Sequence, residues 1–181
     1  MIFSKPLYYI RDVKDHLIYK DKILSNISKN DYVMHNPEIK DYASFISNTD
    51  WKFADNTWFS FSLSERDQKE YVKFIYDKFK KTDLKINVAW FNQYYKNSGS
   101  EHNYHVHHSK LSPNDLTNIY YVQLEDKSLR TILKHPKTGK EVIPRVKEGQ
   151  MLTFDAKIQH RSPRNFTNTR KTVISFNVRF L

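Results

Sequence analysis

An α+β fold, with helices first and a β-sandwich or jelly roll after them, follows from the order of patterns along this chain. Two observations carry it. Helical periodicity is confined to the segment before residue 82. After Asp83, short β-branched and aromatic runs recur between turn signals. The chain has 181 residues, enough for one domain with a hydrophobic core of its own. We therefore expect a single domain over residues 1–181, with a helical and irregular part at 1–85 and a β core at 86–181.

The elements follow in order. Tyr19, Ile23, Leu24 and Ile27 recur at helical spacing and predict a helix over 15–29. Residues 30–58 hold Pro37, several Asn and Asp, and the aromatics Trp51, Phe53 and Trp58. They read as an irregular covering over the core. The clearest helix is 64–81. Ser62 with Glu65 and Ser64 with Asp67 both fit a capping box. Tyr71, Val72, Ile75, Tyr76 and Phe79 form one apolar stripe, as expected of a face packed on a core. Strands are predicted at 86–95, 118–124, 130–135, 151–154 and 171–180. Between them lie the turn signals Asn97-Ser98-Gly99, Pro113-Asn114-Asp115, Pro136-Lys137-Thr138-Gly139 and Lys147-Glu148-Gly149.

Composition narrows the chemistry. The chain has no cysteine, which excludes thiol catalysis, disulfides, cysteine-ligated zinc and iron–sulfur clusters. Its three glycines leave no Gly-rich phosphate loop. No stretch approaches the roughly 18 apolar residues of a membrane span, and a soluble, cytoplasmic protein without a membrane partner is expected. The formal net charge is +10. A positive surface attracts nucleic acid or other anions. Here the basic residues are scattered and do not interleave with aromatics in a stripe, so a nucleic-acid partner is not favoured.

The chemistry-bearing segment is Asn103-Tyr104-His105-Val106-His107-His108. On a strand, His105 and His107 project from one face while Val106 points the other way into apolar packing. Two imidazoles so placed can hold a divalent metal, and a third ligand must come from elsewhere. His160, after the strand-like Met151-Leu152-Thr153-Phe154, is the candidate; His108 falls on the opposite face. Asp115 and Asp155 are alternative carboxylate donors without the same spacing.

With these residues in view, the sequence resembles the iron(II)- and 2-oxoglutarate-dependent oxygenases, in particular prolyl-hydroxylase-like members. The resemblance spans roughly residues 86–180. It rests on His105-Val106-His107, on Asn118-Ile119-Tyr120-Tyr121-Val122, on the passage from Val146 to Asn165 that contains Gly149, Phe154 and His160, and on Arg170 to Asn177. It implies a double-stranded β-helix core with N-terminal helices packed on it. It also implies Fe(II) held by His105, His107 and His160, and 2-oxoglutarate as co-substrate. The far carboxylate of 2-oxoglutarate would meet Tyr121 and either Arg170 or Lys171. Arg170 has the sequence separation from His160, whereas strand parity puts Lys171 on the inward face with Val173, Ser175 and Asn177. Asn92 and Asn177 would orient ligands or co-substrate. The implied reaction is hydroxylation of a peptidyl or small-molecule substrate by dioxygen, with release of succinate and carbon dioxide. No side-chain acid or base is required beyond the metal ligands. The family's commoner third ligand is a carboxylate, so His107 departs from the usual pattern. The competing reading is a cupin-like metal-binding protein or isomerase without oxidative chemistry. It lacks the Glu expected shortly after the histidine pair, since residues 109–114 are Ser-Lys-Leu-Ser-Pro-Asn. The primary substrate and the oligomeric state are not specified by these residues.

Overall fold

The computed structural model describes residues 6–29 and 45–181. The part of the irregular segment at 30–44, with Pro37, lies outside them. Among the described residues, ten strands and three α-helices follow in the order β1 (Tyr8–Asp12), α1 (His16–Lys29), β2 (Asn48–Thr49), α2 (Thr57–Ser62), α3 (Glu65–Phe79), β3 (Leu84–Tyr94), β4 (His102–His105), β5 (Leu116–Leu124), β6 (Ile132–Lys134), β7 (Glu141–Val142), β8 (Gln150–Asp155), β9 (His160–Ser162) and β10 (Lys171–Phe180). Single 3₁₀ turns occupy Trp51–Phe53 and Lys127–Leu129.

The strands form two antiparallel sheets. The larger has six strands in the order β1-β8-β5-β10-β3-β2, and the smaller has four in the order β4-β9-β6-β7. Side-chain parity explains the layering. On β3, β5 and β10, Ala89, Phe91, Leu116, Tyr120, Val122, Ile174, Phe176 and Val178 turn to one side. There they pack with Ile23 and Ile27 of α1, Trp58 of α2 and Tyr71 and Ile75 of α3. On the other side, Ile119, Tyr121, Leu152, Phe154 and Val173 meet Leu133 of the smaller sheet and Val146 and Ile158 of the loops. The result is a helix layer, a major sheet and a minor sheet. The long central strands β5 and β10 carry buried residues on both faces because both faces are covered.

Local signals decide the helix ends. Of the two capping candidates, Ser64 is used: its Oγ accepts from the Asp67 amide at 3.1 Å. Lys80 ends the helix in the left-handed conformation, φ 57°. The Asp67 carboxylate is buried and accepts from the amides of Lys14 and Asp15, at 2.7 and 2.9 Å, tying α3 to the turn between β1 and α1. The expected apolar stripe is narrower than its sequence pattern. Tyr71 and Ile75 are fully buried, but Val72 is 44% and Tyr76 51% exposed, because the sheet covers only one side of α3.

Strands β1 and β2 come from the N-terminal part, so the division at residue 85 does not separate helix from sheet. β1 pairs with β8 along its length, and β2 pairs with β3. At the β1–β8 end, Gly149 holds φ +79°, and a Cβ there would lie 3.0 Å from Cδ2 of His16. His16 is itself held by the Tyr120 hydroxyl at 2.8 Å from its Nδ1. Gly149→Ala therefore meets both backbone strain and a fixed ring, and is expected to destabilise the protein by about 1–3 kcal/mol, read as a lowered urea midpoint.

Candidate metal centre

Strand pairing brings His105 and His160 together. β4 and β9 are antiparallel neighbours, and His105 stands directly across from His160. Opposed residues on adjacent strands hold their Cβ atoms about 4.5–5.5 Å apart, so facing rings converge. His107 lies beyond the end of β4, where its amide donates to the Ala156 carbonyl at 3.0 Å and fixes the extension against the turn before β9. The three side chains form one cluster, with one ligand nitrogen from each lying within 4.8 Å of the others. Neither Asp115 nor Asp155 belongs to it. Asp115 accepts from the Phe180 amide at 2.8 Å, and Asp155 from the Lys157 amide at 2.9 Å.

The cluster has the donor chemistry of a metal site. Nδ1 of His105 lies 2.7 Å from the Asn103 carbonyl, and Nδ1 of His160 lies 3.0 Å from that of Ile158. A carbonyl only accepts, so each Nδ1 carries the proton and each Nε2 keeps its lone pair for a metal. Burial holds all three imidazoles below their ordinary range, and the neighbouring rings add to this at His107 and His160. Imidazoles held neutral in this way can serve as metal donors. Nitrogen donors of this number and arrangement fit a divalent transition ion and leave further positions open for other ligands.

Val106 does not enter the core as its strand parity suggested. It is 43% exposed, because regular pairing stops at His105. His108 turns away from the cluster, its Nδ1 2.6 Å from the Asn114 carbonyl. A fourth histidine, His102, was not visible as part of the site. Its ring stacks on that of His105 with centroids 3.7 Å apart and planes 17° apart. Residues 102 and 105 have opposite strand parity, but β4 bulges between them, so His102 pairs with Ser162 while His105 pairs with His160. The bulge is what puts both rings on one face, and the sequence carries no sign of it.

Beside the cluster is a narrow inner chamber of about 20 Å³. Lys171 projects into it from the first residue of β10, on the same face as Val173 and Ser175, which also line it. Lys171 is 1% exposed. Its ammonium donates to Ser162 Oγ at 2.8 Å and lies over the rings of Tyr94 and Tyr121, 4.9 and 5.8 Å from their centroids. Ser162 and His160 are two residues apart on β9 and share a face, so the histidine cluster and the Lys171 amine sit side by side. Burial pulls the Lys171 ammonium down to about 7. Among its described contacts there is no carboxylate, and a carboxylate ligand would complete it.

The other expected co-substrate residues are placed differently. Arg170 points outward, its guanidinium 4.4 Å over the Tyr95 ring, and does not line this chamber. The Tyr121 hydroxyl donates to Thr131 Oγ1 at 2.7 Å, so Thr131, not Tyr121, lines the chamber wall. Burial pushes the Tyr121 phenol up to about 12. Asn177 accepts from Thr117 Oγ1 at 3.1 Å and lies outside the lining. Asn92 does face the site. With its nitrogen toward Thr49, its amide donates to Thr49 Oγ1 at 2.7 Å and accepts from Trp90 Nε1 at 3.2 Å.

No protein-family model matches the chain, and no curated protein matches it by sequence. Solved structures do match. The 2-oxoglutarate complex of a viral collagen prolyl hydroxylase from Paramecium bursaria Chlorella virus-1 superposes with a TM-score of 0.63 over 100% of both chains at 16% identity. EctD from S. alaskensis, with 2-oxoglutarate and 5-hydroxyectoine, gives 0.65 over 98% of this chain and 73% of its own at 12% identity. A Trichoplax adhaerens prolyl hydroxylase bound to a hypoxia-inducible-factor peptide fragment gives 0.55 over 94% and 83%, at 12% identity. Histidines converging between two antiparallel sheets, with helices on the outer face of the larger, therefore belong to a known architecture: this chain has the double-stranded β-helix fold of the iron(II)- and 2-oxoglutarate-dependent oxygenases.

Proposed function

We propose that the protein is an iron(II)- and 2-oxoglutarate-dependent dioxygenase of the hydroxylase type. The observation that carries this reading is the adjacency of three neutral imidazoles and a buried, carboxylate-free Lys171 ammonium inside this fold. His105, His107 and His160 would hold the metal. Lys171, with Ser162 beside it, would take the far carboxylate of 2-oxoglutarate as a point charge; a lysine offers no bidentate fork. Tyr121 would act through Thr131, and Asn92 through its bond to the Trp90 indole. Arg170 is left to the surface.

Iron(II) held by the three histidines would activate O2, the oxidant, with 2-oxoglutarate supplying two electrons as it is decarboxylated to succinate and the substrate C–H bond the other two as it becomes C–OH; one oxygen atom would end in the hydroxyl and the other in succinate. The residues' own tasks are binding, orientation and exclusion of water. Tyr94, Thr131 and Val173 wall the chamber, and the Nδ1 contacts of His105 and His160 fix their ring planes. The chamber as it stands has room for about one water molecule. Binding of a five-carbon diacid thus involves outward movement of its walls.

The proposal covers one domain, a peptidyl or small-molecule substrate, and a cytoplasmic setting suited to a cysteine-free chain. Among the described residues, no helix is long and apolar enough to cross a membrane. Purified protein given Fe(II), ascorbate and 2-oxoglutarate under air is expected to form succinate slowly even without a primary substrate. Succinate formation should require all three of iron, 2-oxoglutarate and O2. Protein that holds iron yet forms no succinate with any added substrate would favour the cupin-like alternative.

A further inference from the structure

A second cavity, of about 220 Å³, opens beside the histidines. It shares Trp90, Asn92, His102, His105 and His107 with the inner chamber, so it reaches the metal cluster from the outer side. Its remaining walls differ in kind from those of the inner chamber. Trp51, Ile46 and Val106 form the mouth, and the Tyr104 ring forms one side. Among the described residues, no Asp, Glu, Lys or Arg lines it. The inner chamber, by contrast, contains Lys171 and Arg161.

The hydroxyl groups of the outer cavity are already engaged. The Tyr104 hydroxyl donates to Glu141 at 2.6 Å, and Lys134 and Arg161 lie 5.6 and 5.5 Å from its ring centroid. Thr49 Oγ1 donates to the Phe91 carbonyl at 2.9 Å and accepts from the Asn92 amide. A ligand in this cavity therefore meets two indoles, a phenol ring and aliphatic side chains, with neutral amides and the imidazoles of His102, His105 and His107 beside them. A charged group placed there would lose its hydration without gaining an ionic partner among the described lining side chains. The volume lies below the range usual for whole drug-sized ligands, so it accommodates one residue-sized group with the rest of the molecule outside.

Resting on the oxygenase reading, we propose that the primary substrate presents an uncharged, apolar side chain or ring to the metal through this outer cavity, on a larger molecule that stays outside, and that charged side chains are rejected. Charge is thus divided between the chambers: the anionic co-substrate goes to Lys171, and the neutral substrate group goes to the aromatic walls.

The test uses the full chain loaded with Mn(II) and 2-oxoglutarate, which gives no turnover and a paramagnetic centre. The probes are the N-acetyl amides of proline, leucine, phenylalanine, lysine and glutamate, each followed by proton relaxation. At least one neutral amide is expected to be relaxed more than the lysine and glutamate amides by about tenfold, the discrimination expected when an unpaired charge would be buried. Val106→Glu, a change at an exposed position on the mouth, is expected to reverse part of that preference in favour of the lysine amide. Equal relaxation of charged and neutral probes, or of none, with Mn(II) bound, overturns the proposal. Failure to bind Mn(II) at all counts instead against the oxygenase reading, so the two are separable.

Discussion

His160→Asn is expected to lower the affinity for a divalent ion by more than about 100-fold while leaving the fold in place. Loss of an outer-sphere partner already costs 10–100-fold, and loss of a ligand costs more. Asn preserves much of the volume of a ring that is fully enclosed between Phe154 and His105, so collapse of the core is not the expected cause. Equilibrium dialysis with Mn(II) reads the affinity, and circular dichroism checks the fold. His107→Asp is the informative contrast. Three neutral imidazoles leave the full double charge of the ion uncompensated, whereas a carboxylate removes one unit. That variant is expected to retain metal and to lower the iron(III)/iron(II) potential, because the carboxylate favours the higher oxidation state. Loss of metal in both variants would leave His107 irreplaceable by a carboxylate and would narrow the site to an all-nitrogen one.

The second large effect belongs to Lys171. Lys171→Met should weaken 2-oxoglutarate binding to the Mn(II)-loaded protein by roughly thirtyfold or more, since removing one partner of a buried charge pair costs about 2–5 kcal/mol. Metal binding should persist. Arg170→Ala should change neither, because its guanidinium lies on Tyr95 outside the chamber. The pH dependence has a defined sign. Burial places the free Lys171 ammonium at about 7, below its unfolded value of 10.5. Below pH 7 the amine is charged in the folded state and ready for a carboxylate. As pH rises above 7 it loses its proton, so 2-oxoglutarate should bind more weakly and take up a proton on binding. Stability runs the other way. The folded protein bears the full burden of the buried charge below pH 7, and that burden shrinks as pH rises toward 10.5. Lys171→Met should therefore raise the stability of the unliganded protein most at low pH and least near pH 10. Isothermal titration in buffers of different ionisation enthalpy reads the proton, and urea unfolding at pH 6 and 9.5 reads the stability.

The residues that were legible from sequence are those governed by period. The helices His16–Lys29 and Glu65–Phe79 and the long strands β3, β5, β8 and β10 all show it, and the parity of β10 placed Lys171 inward while sequence separation alone pointed to Arg170. What was not legible depends on pairing between distant segments. β2 has two residues and β7 two, too short for any alternation to register, and β1 is a strand because β8 offers it an edge. Val106 broke the expected alternation because β4 ends at His105, and His102 joins the site only through the bulge within β4. The walls of the outer cavity come from residues 46–51, 90–92 and 102–107, and no local pattern links them.

The most direct test is the iron K-edge X-ray absorption fine structure of the protein loaded anaerobically with Fe(II). Convergence of His105, His107 and His160 on one ion predicts multiple-scattering features of three imidazoles, with Fe–N distances of about 2.1 Å. One imidazole fewer should be seen in His107→Asp. A spectrum with one imidazole or none, or protein that takes up no iron, would contradict it.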